Sequence, residues 1–553
     1  MKKFQCVLTV TILLVLSVVF LSCPTNIDPE TVYVEVDSSD WLGTAPGITD
    51  AQITGTKTAD IVIVGAGVAG VATARSAAEE GATVLVIEQT PGITFRGLCF
   101  GAFNSDYQKS LGQMLSEADK MEVVRQMQKI SGNRANMALW TRWVNESGDA
   151  FNWFINAFSP SGPEYGYYLE MWPLPESFDN STEYYPQFQS SIAFGTLFVN
   201  KWGDAVTAQY DKSVAEGAEY LFETTGKELV LRDDGVVIGV YAQQKDGSYI
   251  KVLANKAVVL ATGDYGNNEK MVKVLNPEFY EALNYGLTNI PTSTGEGHRM
   301  AVWAGARMEP APHAHMSHSF AGGFGGIGST VALHLNLQGK RFMNEDVPGQ
   351  IFTNQLLRQP GHTSFQVFDS TWPAQILKQS VGHGNLDLSN GFDPAAIEVT
   401  LAAALENDGT NLMAPLGANT IDELIAKMYP NDTATQNTAK AAIARYNELA
   451  EAGFDADFGC RADRLFPVKT GPFYASRSMV AAGVTTAGVM VDERLRVLNA
   501  ESLTPIPGLW AVGNVAGGRY SIDYPTTSPA TSHGTAITFG RAIGQETAAY
   551  TRP

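Results

Sequence analysis

Two stretches of this chain combine residues that could do chemistry. The first is Gly65-Ala66-Gly67-Val68-Ala69-Gly70, three glycines at GxGxxG spacing directly after the β-branched run DIVIV at 60–64. Glu88 follows at the end of the next such run, TVLVIE at 83–88. In that context the spacing predicts a dinucleotide site. Gly65 makes the tight turn, Gly67 lets backbone approach a pyrophosphate, and Gly70 lets helix and strand pack closely. The free N–H groups of the helix start face the phosphates, and Glu88 accepts the ribose hydroxyls. The second stretch is GGRYSIDYPTTS at 517–528, a loop by its Gly, Pro, Asp and Ser content. It carries a cation, Arg519, and two phenols, Tyr520 and Tyr524. Two further groups are weaker signals. PHAHMSHS at 312–319 crowds His313, His315 and His318 without a Cys or carboxylate cluster, which favours histidines lining a pocket, His315 among them, over a metal site. RFMNE at 341–345 sets Glu345 four residues after Arg341, where it could orient substrate, relay a proton, or pair with that arginine.

The elements that position these groups read as an α/β protein. The Ala-rich VATARSAAEEG after Gly67 is a helix closed by Gly81. Residues 106–217 are mostly helical and aromatic, with Trp140, Trp143 and Trp153 at near-helical spacing as core. Three β runs between 228 and 260 are separated by Asp234-Gly235 and Asp246-Gly247, a hairpin signature. KAVVLATG at 256–263 and IPGLWAVGN at 506–514 return to the style of buried parallel strands. At 553 residues the chain divides into more than one lobe. A net charge of −19 excludes a nucleic-acid footprint.

The leader MKKFQCVLTVTILLVLSVVFLSC places Lys2 and Lys3 before a short apolar run, an export signal over residues 1–22. Its end, Phe20-Leu21-Ser22-Cys23, resembles a bacterial lipobox. That implies a lipidated Cys23, a location at the cell envelope, and a polar tether over 23–57. No CxxCH occurs, so this chain carries no covalently attached c-type haem.

DIVIVGAGVAG with Glu88, VLATGDYGNNEKM at 259–271, GKRFMNE at 339–345 and IPGLWAVGNVAGG at 506–518 resemble the flavoprotein family of fumarate reductases, urocanate reductases and 3-ketosteroid dehydrogenases. DWLGTAPGITDAQI at 40–53 is similar to the lead-in of exported members that reduce small organic electron acceptors. The resemblance implies FAD in a discontinuous Rossmann-like domain (58–300 and 476–553), with an inserted α+β capping domain (301–475). Gly65, Gly67, Ala69, Gly70 and Glu88 would hold the adenosine half. Gly101, Thr262 and Gly263 would line the cofactor, and Asn514, standing where the family has an acid, would meet the ribityl chain.

In such enzymes reduced flavin delivers hydride from N5 to an activated C=C bond, and the protein polarises the substrate. Dicarboxylates need guanidinium pairs. Here Asp523-Tyr524 replaces Asn-Arg, and Pro348 replaces the Arg expected after Glu345. VFDSTWPAQ at 367–375 lacks an arginine, and AAGVTTAGV at 481–489 lacks a histidine. These losses argue against fumarate. The segment around Tyr524 is instead similar to the steroid-dehydrogenase version, which implies that Tyr524 and the backbone of Ser528 hold an enone oxygen. Arg519 and Tyr520 would leave room for a monocarboxylate. The expectation is an exported FAD oxidoreductase acting on CH–CH groups as an ene-reductase. Its electrons come from a separate cytochrome, flavoprotein or quinone-linked carrier. A 3-ketosteroid-type dehydrogenase and a non-catalytic flavin-carrying lipoprotein are the alternatives.

Overall fold

The apolar run at 60–64 forms the buried end of strand β1 (Ile53–Val64), where Ile61, Val62 and Ile63 are fully buried. A parallel strand is covered on both faces, so it has no wet side for polar residues to occupy. Gly67 caps helix α1 (Val68–Glu79). Strand β2 (Val84–Ile87) then pairs parallel to β1, with Ile61 opposite Val84. On its other edge β1 pairs parallel with β3 (Tyr249–Leu260). The strands Thr224–Leu231 and Val237–Gln244 pair antiparallel across the turn at Gly235, whose φ is 83°, and the second of them pairs antiparallel with β3. The computed structural model describes residues 41–157, 166–170, 179–196, 199–283, 291–321, 327, 332–378, 394–412, 414–525 and 527–553.

The leader, Cys23 and the first stretch of the expected tether lie outside the described residues. The rest of that tether, residues 41–57, is folded. Trp41 is buried with Tyr265, Phe279 and Phe352. The Ile48 N–H donates to Glu228 Oε2 at 3.0 Å, and β1 begins pairing at Ile53. A few apolar anchors in a polar stretch are enough to dock it.

The inserted region builds a second, antiparallel sheet. Strand β4 (His315–Ala321) leads into it, helix α2 (Gly349–Leu356) covers it, and the long β5 (Phe473–Thr485) lies between β4 and the strand Thr363–Asp369, which pairs with Leu333–Asn336. Leu333, Leu335, Phe365 and Val367 form one core with Leu424, Ile425 and Ile443 of the following helices. Because β5 belongs to this sheet as far as Thr485, the first domain resumes after 485 rather than at 476.

Two clusters of charge stiffen the cap. Arg341 pairs with Glu345 at 2.6 Å and Asp455 at 2.8 Å, all three side chains buried. Arg464 and Arg461 reach Glu183, in the first domain, at 2.6 and 3.0 Å, and both also pair with Asp346 in the cap.

The chain then returns. Strand β6 (Pro505–Ala511) pairs parallel with β3, and helix α3 (Thr531–Ala549) packs on α1. A Cβ on Gly544 would lie 2.6 Å from Ser76 Cβ, so glycine there sets the closeness of the two helices. The result is a mixed α/β protein: a discontinuous parallel-sheet domain with an α+β cap inserted.

Candidate active site

The β1, β3 and β6 ends, the start of α1 and the start of α3 surround a cavity of about 700 Å³. It runs from Gly65, Gly67 and Glu88 past Thr262, Gly263 and Asn514 to Tyr524, Ser532 and His533.

At its first end the glycines do separable jobs. Gly65 has φ 106°, and an added Cβ would lie 2.4 Å from Ala261 O. On Gly70 a Cβ would lie 1.9 Å from Gly65 O, so helix and turn touch backbone to backbone. Gly67 differs: its nearest neighbour would be Thr94 Oγ1 at 3.8 Å, which leaves bare backbone facing the cavity at a helix N-terminus. Ala69 lines the same end. Glu88 is buried, accepting from Ala66 N–H at 2.7 Å with one oxygen and from the Thr90 N–H and hydroxyl at 2.8 and 2.7 Å with the other. The carboxylate thus fixes the turn, and the oxygen bonded to Ala66 keeps a lone pair for a further donor.

In the middle, Thr262 Oγ1 is buried without a protein partner, and Gly263, at φ 75°, has open space where a Cβ would stand. An orphaned hydroxyl and two stretches of bare backbone along one channel suit a long, polar nucleotide cofactor. Asn514 Oδ1 accepts from Ser532 Oγ at 3.3 Å and from Arg519 Nη2 at 3.4 Å. Gly101 is elsewhere. It lies in the strand Cys99–Gly101, where a Cβ would meet Ala530 O at 2.5 Å, so it seats the start of α3 and is not among the lining residues.

At the far end stands Tyr524, whose phenol oxygen accepts from Ser532 N–H at 3.0 Å. Burial raises its pKa above that of a free phenol, so it keeps its proton and, with the oxygen already accepting, can donate it. Ser528 is buried with an unpaired hydroxyl and is not on the cavity wall. Glu345 and His315 are not there either. Glu345 is held by Arg341 in the cap. His315 Nδ1 lies 3.0 Å from Asn276 Oδ1, and burial holds the ring down at about 4. His313 bonds Tyr265 and Glu309 O. Arg519 and Tyr520 lie behind the wall, not on it.

Three groups in or beside the site are given no role by sequence. Arg96 lines the cavity and is paired with buried Asp264 from the loop after β3. The signal is available, since Asp264 puts a charge at the end of an apolar strand. His533 sits at the start of α3, its ring stacked on Trp202 at 5.0 Å. Its Nδ1 is 3.0 Å from Cys99 O, which requires the proton on Nδ1, and burial lowers the ring to about 4. Asp523, next to Tyr524, accepts from Tyr524 N–H at 2.8 Å and from Asn354 on α2, so it joins the loop to the cap.

Residues 60–528 match the FAD binding domain family. The chain belongs to that family. FAD is therefore its cofactor, and the cradle from Gly67 to Asn514 is where this FAD-binding protein offers room and donors for it. The chain is 29% identical over 524 residues to Vinyl phenol reductase of Lactiplantibacillus plantarum, covering 89% of this chain and 97% of that one. It is 26% identical over 505 residues to Fumarate reductase (cytochrome) of Shewanella frigidimarina, covering 90% and 78%. The fold also matches the crystal structure of 3-ketosteroid-Δ4-(5α)-dehydrogenase from Rhodococcus jostii RHA1, with a TM-score of 0.67, 21% identity, and 90% and 99% of the two chains covered. The protein is an FAD-dependent oxidoreductase of a family that acts on C=C bonds.

Proposed function

We propose that this chain is an ene-reductase whose acceptor carries a C=C bond conjugated to an oxygen, as in an enone or a hydroxystyrene. One observation carries the reading. The Tyr524 end of the cavity offers a phenol and peptide dipoles, and the one arginine among the described lining residues, Arg96, is already held by Asp264. A dicarboxylate would find no guanidinium free to grip it there.

Bound FAD supplies the hydride. The chain's own groups handle the oxygen. Tyr524 donates a hydrogen bond to it, while the Ser532 N–H and the positive end of α3 support the phenol as negative charge moves onto the substrate oxygen. Hydride at one carbon and a proton from solvent at its neighbour complete the saturation. Similarity to Vinyl phenol reductase over nearly that protein's whole length supports a hydroxystyrene. In such a molecule the terminal vinyl carbon takes a proton as the phenol gives up its own, and hydride at the carbon next to the ring then returns negative charge to the para oxygen, where the hydrogen bond acts. Electrons reach the cofactor from a separate cytochrome, flavoprotein or quinone-linked carrier, and the enzyme works at the bacterial cell envelope, held by a lipid on Cys23.

The test is anaerobic. Holoprotein reduced with dithionite is mixed with 4-vinylphenol, a ketosteroid enone, urocanate and fumarate in turn. Reoxidation by 4-vinylphenol or the enone, and not by fumarate, is expected. Reoxidation by fumarate alone overturns the reading, and reoxidation by none assigns a flavin-carrying binder instead.

A further inference from the structure

Arg75, Arg464 and Arg519, the last only 1% exposed, are buried, as is the side chain of Arg341, which Glu345 and Asp455 pair. Arg75 is paired with Glu79, and Arg464 with Glu183 and Asp346. Among the described residues Arg519 has no carboxylate within ion-pairing distance. Its Nη1 donates to Thr535 Oγ1 at 2.6 Å, and its Nη2 to Gly513 O at 2.9 Å, Ala516 O at 3.3 Å and Asn514 Oδ1 at 3.4 Å, while Nε has no partner. Glu309 does reach this turn, but it accepts from the Gly518 N–H at 3.0 Å rather than from the guanidinium. A full charge taken out of water and given only neutral acceptors is costly. Hydrogen bonds to backbone need no such charge, so the guanidinium asks for an anion that the described residues do not provide.

The neighbours of Arg519 lead to one place. Its guanidinium carbon lies 4.8 Å over the ring of Tyr520, and that ring is 5.0 Å from the ring of Tyr524. Thr535 and Ser532 stand on the first turn of α3, whose amide meets the Tyr524 oxygen. We propose that Arg519 is a positioning residue of the Tyr524 site, a buried positive charge whose counterion is the negative charge that develops on the substrate oxygen held there. This rests on the reading of Tyr524 given above. Arg519 does not touch substrate. It acts through the two neighbouring, tilted phenols and the helix start, which it also holds in place. Across two steps of about 5 Å each, a unit charge at an effective dielectric of about 20 shifts an ionisation by roughly tenfold. At the Tyr524 phenol burial and the neighbouring Tyr520 raise the pKa, and the Thr531 and Ser532 hydrogen bonds and then the Arg519 charge act the other way.

The experiment uses FAD-loaded protein and 4-nitrophenol, a phenol whose anion is coloured, so that absorbance reads its ionised fraction when bound. Wild type is compared with Arg519→Met and Arg519→Lys over a range of pH. The ratio of ionised to neutral bound phenol is expected to fall about tenfold in Arg519→Met and to stay within about threefold of wild type in Arg519→Lys. An unchanged ratio in Arg519→Met overturns the proposal. So does an equal fall in both variants, since that makes the hydrogen-bond fork and not the charge the active feature. If Arg519→Met does not fold with FAD, Arg519→Lys decides alone: a ratio near wild type supports the charge and a tenfold loss removes it. Failure of 4-nitrophenol to bind wild type is a distinct result, which refutes the Tyr524 reading and the proposal with it.

Discussion

The N–H of Ser532, in the first turn of α3, donates to the phenol oxygen of Tyr524 at 3.0 Å. That one bond ties the last helix of the nucleotide domain to the residue proposed to meet substrate. Tyr524→Phe removes the acceptor and the donor together. Its kcat/KM for 4-vinylphenol or an enone should fall about 10²- to 10³-fold, while FAD content stays at wild-type level. Stopped-flow reoxidation checks this, and an unchanged rate constant removes Tyr524 from the chemistry.

Gly67 and Gly70 should separate cofactor binding from folding. Gly67→Ala places its methyl in the cavity with no protein atom nearer than 3.8 Å. The thermal midpoint of the apoprotein should therefore hold, while the Kd for FAD rises about tenfold or more. Gly70→Ala drives a methyl to 1.9 Å from Gly65 O, an overpacking that costs about 1–3 kcal/mol before any cofactor is added. Titration of both apoproteins with FAD, beside their melting curves, distinguishes the two.

Glu345 and Arg341 should behave as structure. Arg341→Met leaves Glu345 and Asp455 buried without their cation, a loss of about 3–5 kcal/mol. Glu345→Gln should lower stability by less and leave the rate of hydride transfer within about twofold of wild type. Denaturant melts and single-turnover rates measure both, and a large rate loss in a stable Glu345→Gln protein would return Glu345 to the chemistry.

Stability should depend on pH with two opposed contributions. Burial lowers His298 to about 3 and His315 and His533 to about 4, and lowers His313 as well. These rings stay neutral in the folded protein but charge near 6.5 when unfolded, so their contribution is complete above that pH and is lost as pH falls towards 4. Asp523 runs the other way. Burial raises it to about 7 despite the Asn354 bond, so it keeps a proton when folded that it gives up near 3.8 when unfolded. Its contribution is full below that value and is lost as pH rises through 7. The histidines outnumber it, so the thermal midpoint should climb from pH 4 to 6.5 and then sag towards 7. Asp523→Asn should abolish the sag and leave the climb.

The nucleotide half of the site is legible in sequence because it is local. Gly65, Gly67 and Gly70 act within one turn, and Glu88 closes on Ala66 across two adjacent strands. Nothing distant can alter what those residues do. Sequence misleads where meaning comes from a contact far along the chain. Gly101 looks like another cofactor glycine until Ala530 O fills the space above it. Glu345 looks like an acid near the chemistry until Asp455 joins Arg341 in enclosing it. Residues 41–57 look like a tether by composition, yet Trp41 and Ile48 suffice to seat them. Arg519 looks like a ligand for a carboxylate until its neighbours turn it to the back of the wall.

The pairing of Arg461 and Arg464 with Glu183 has a consequence for turnover. Any swing that lifts the cap from the first domain must pull a single carboxylate away from two guanidiniums at once, so the closed position acts as a detent. Dissolved ions that crowd this clasp should loosen it, so the hold of cap on base should weaken as salt rises.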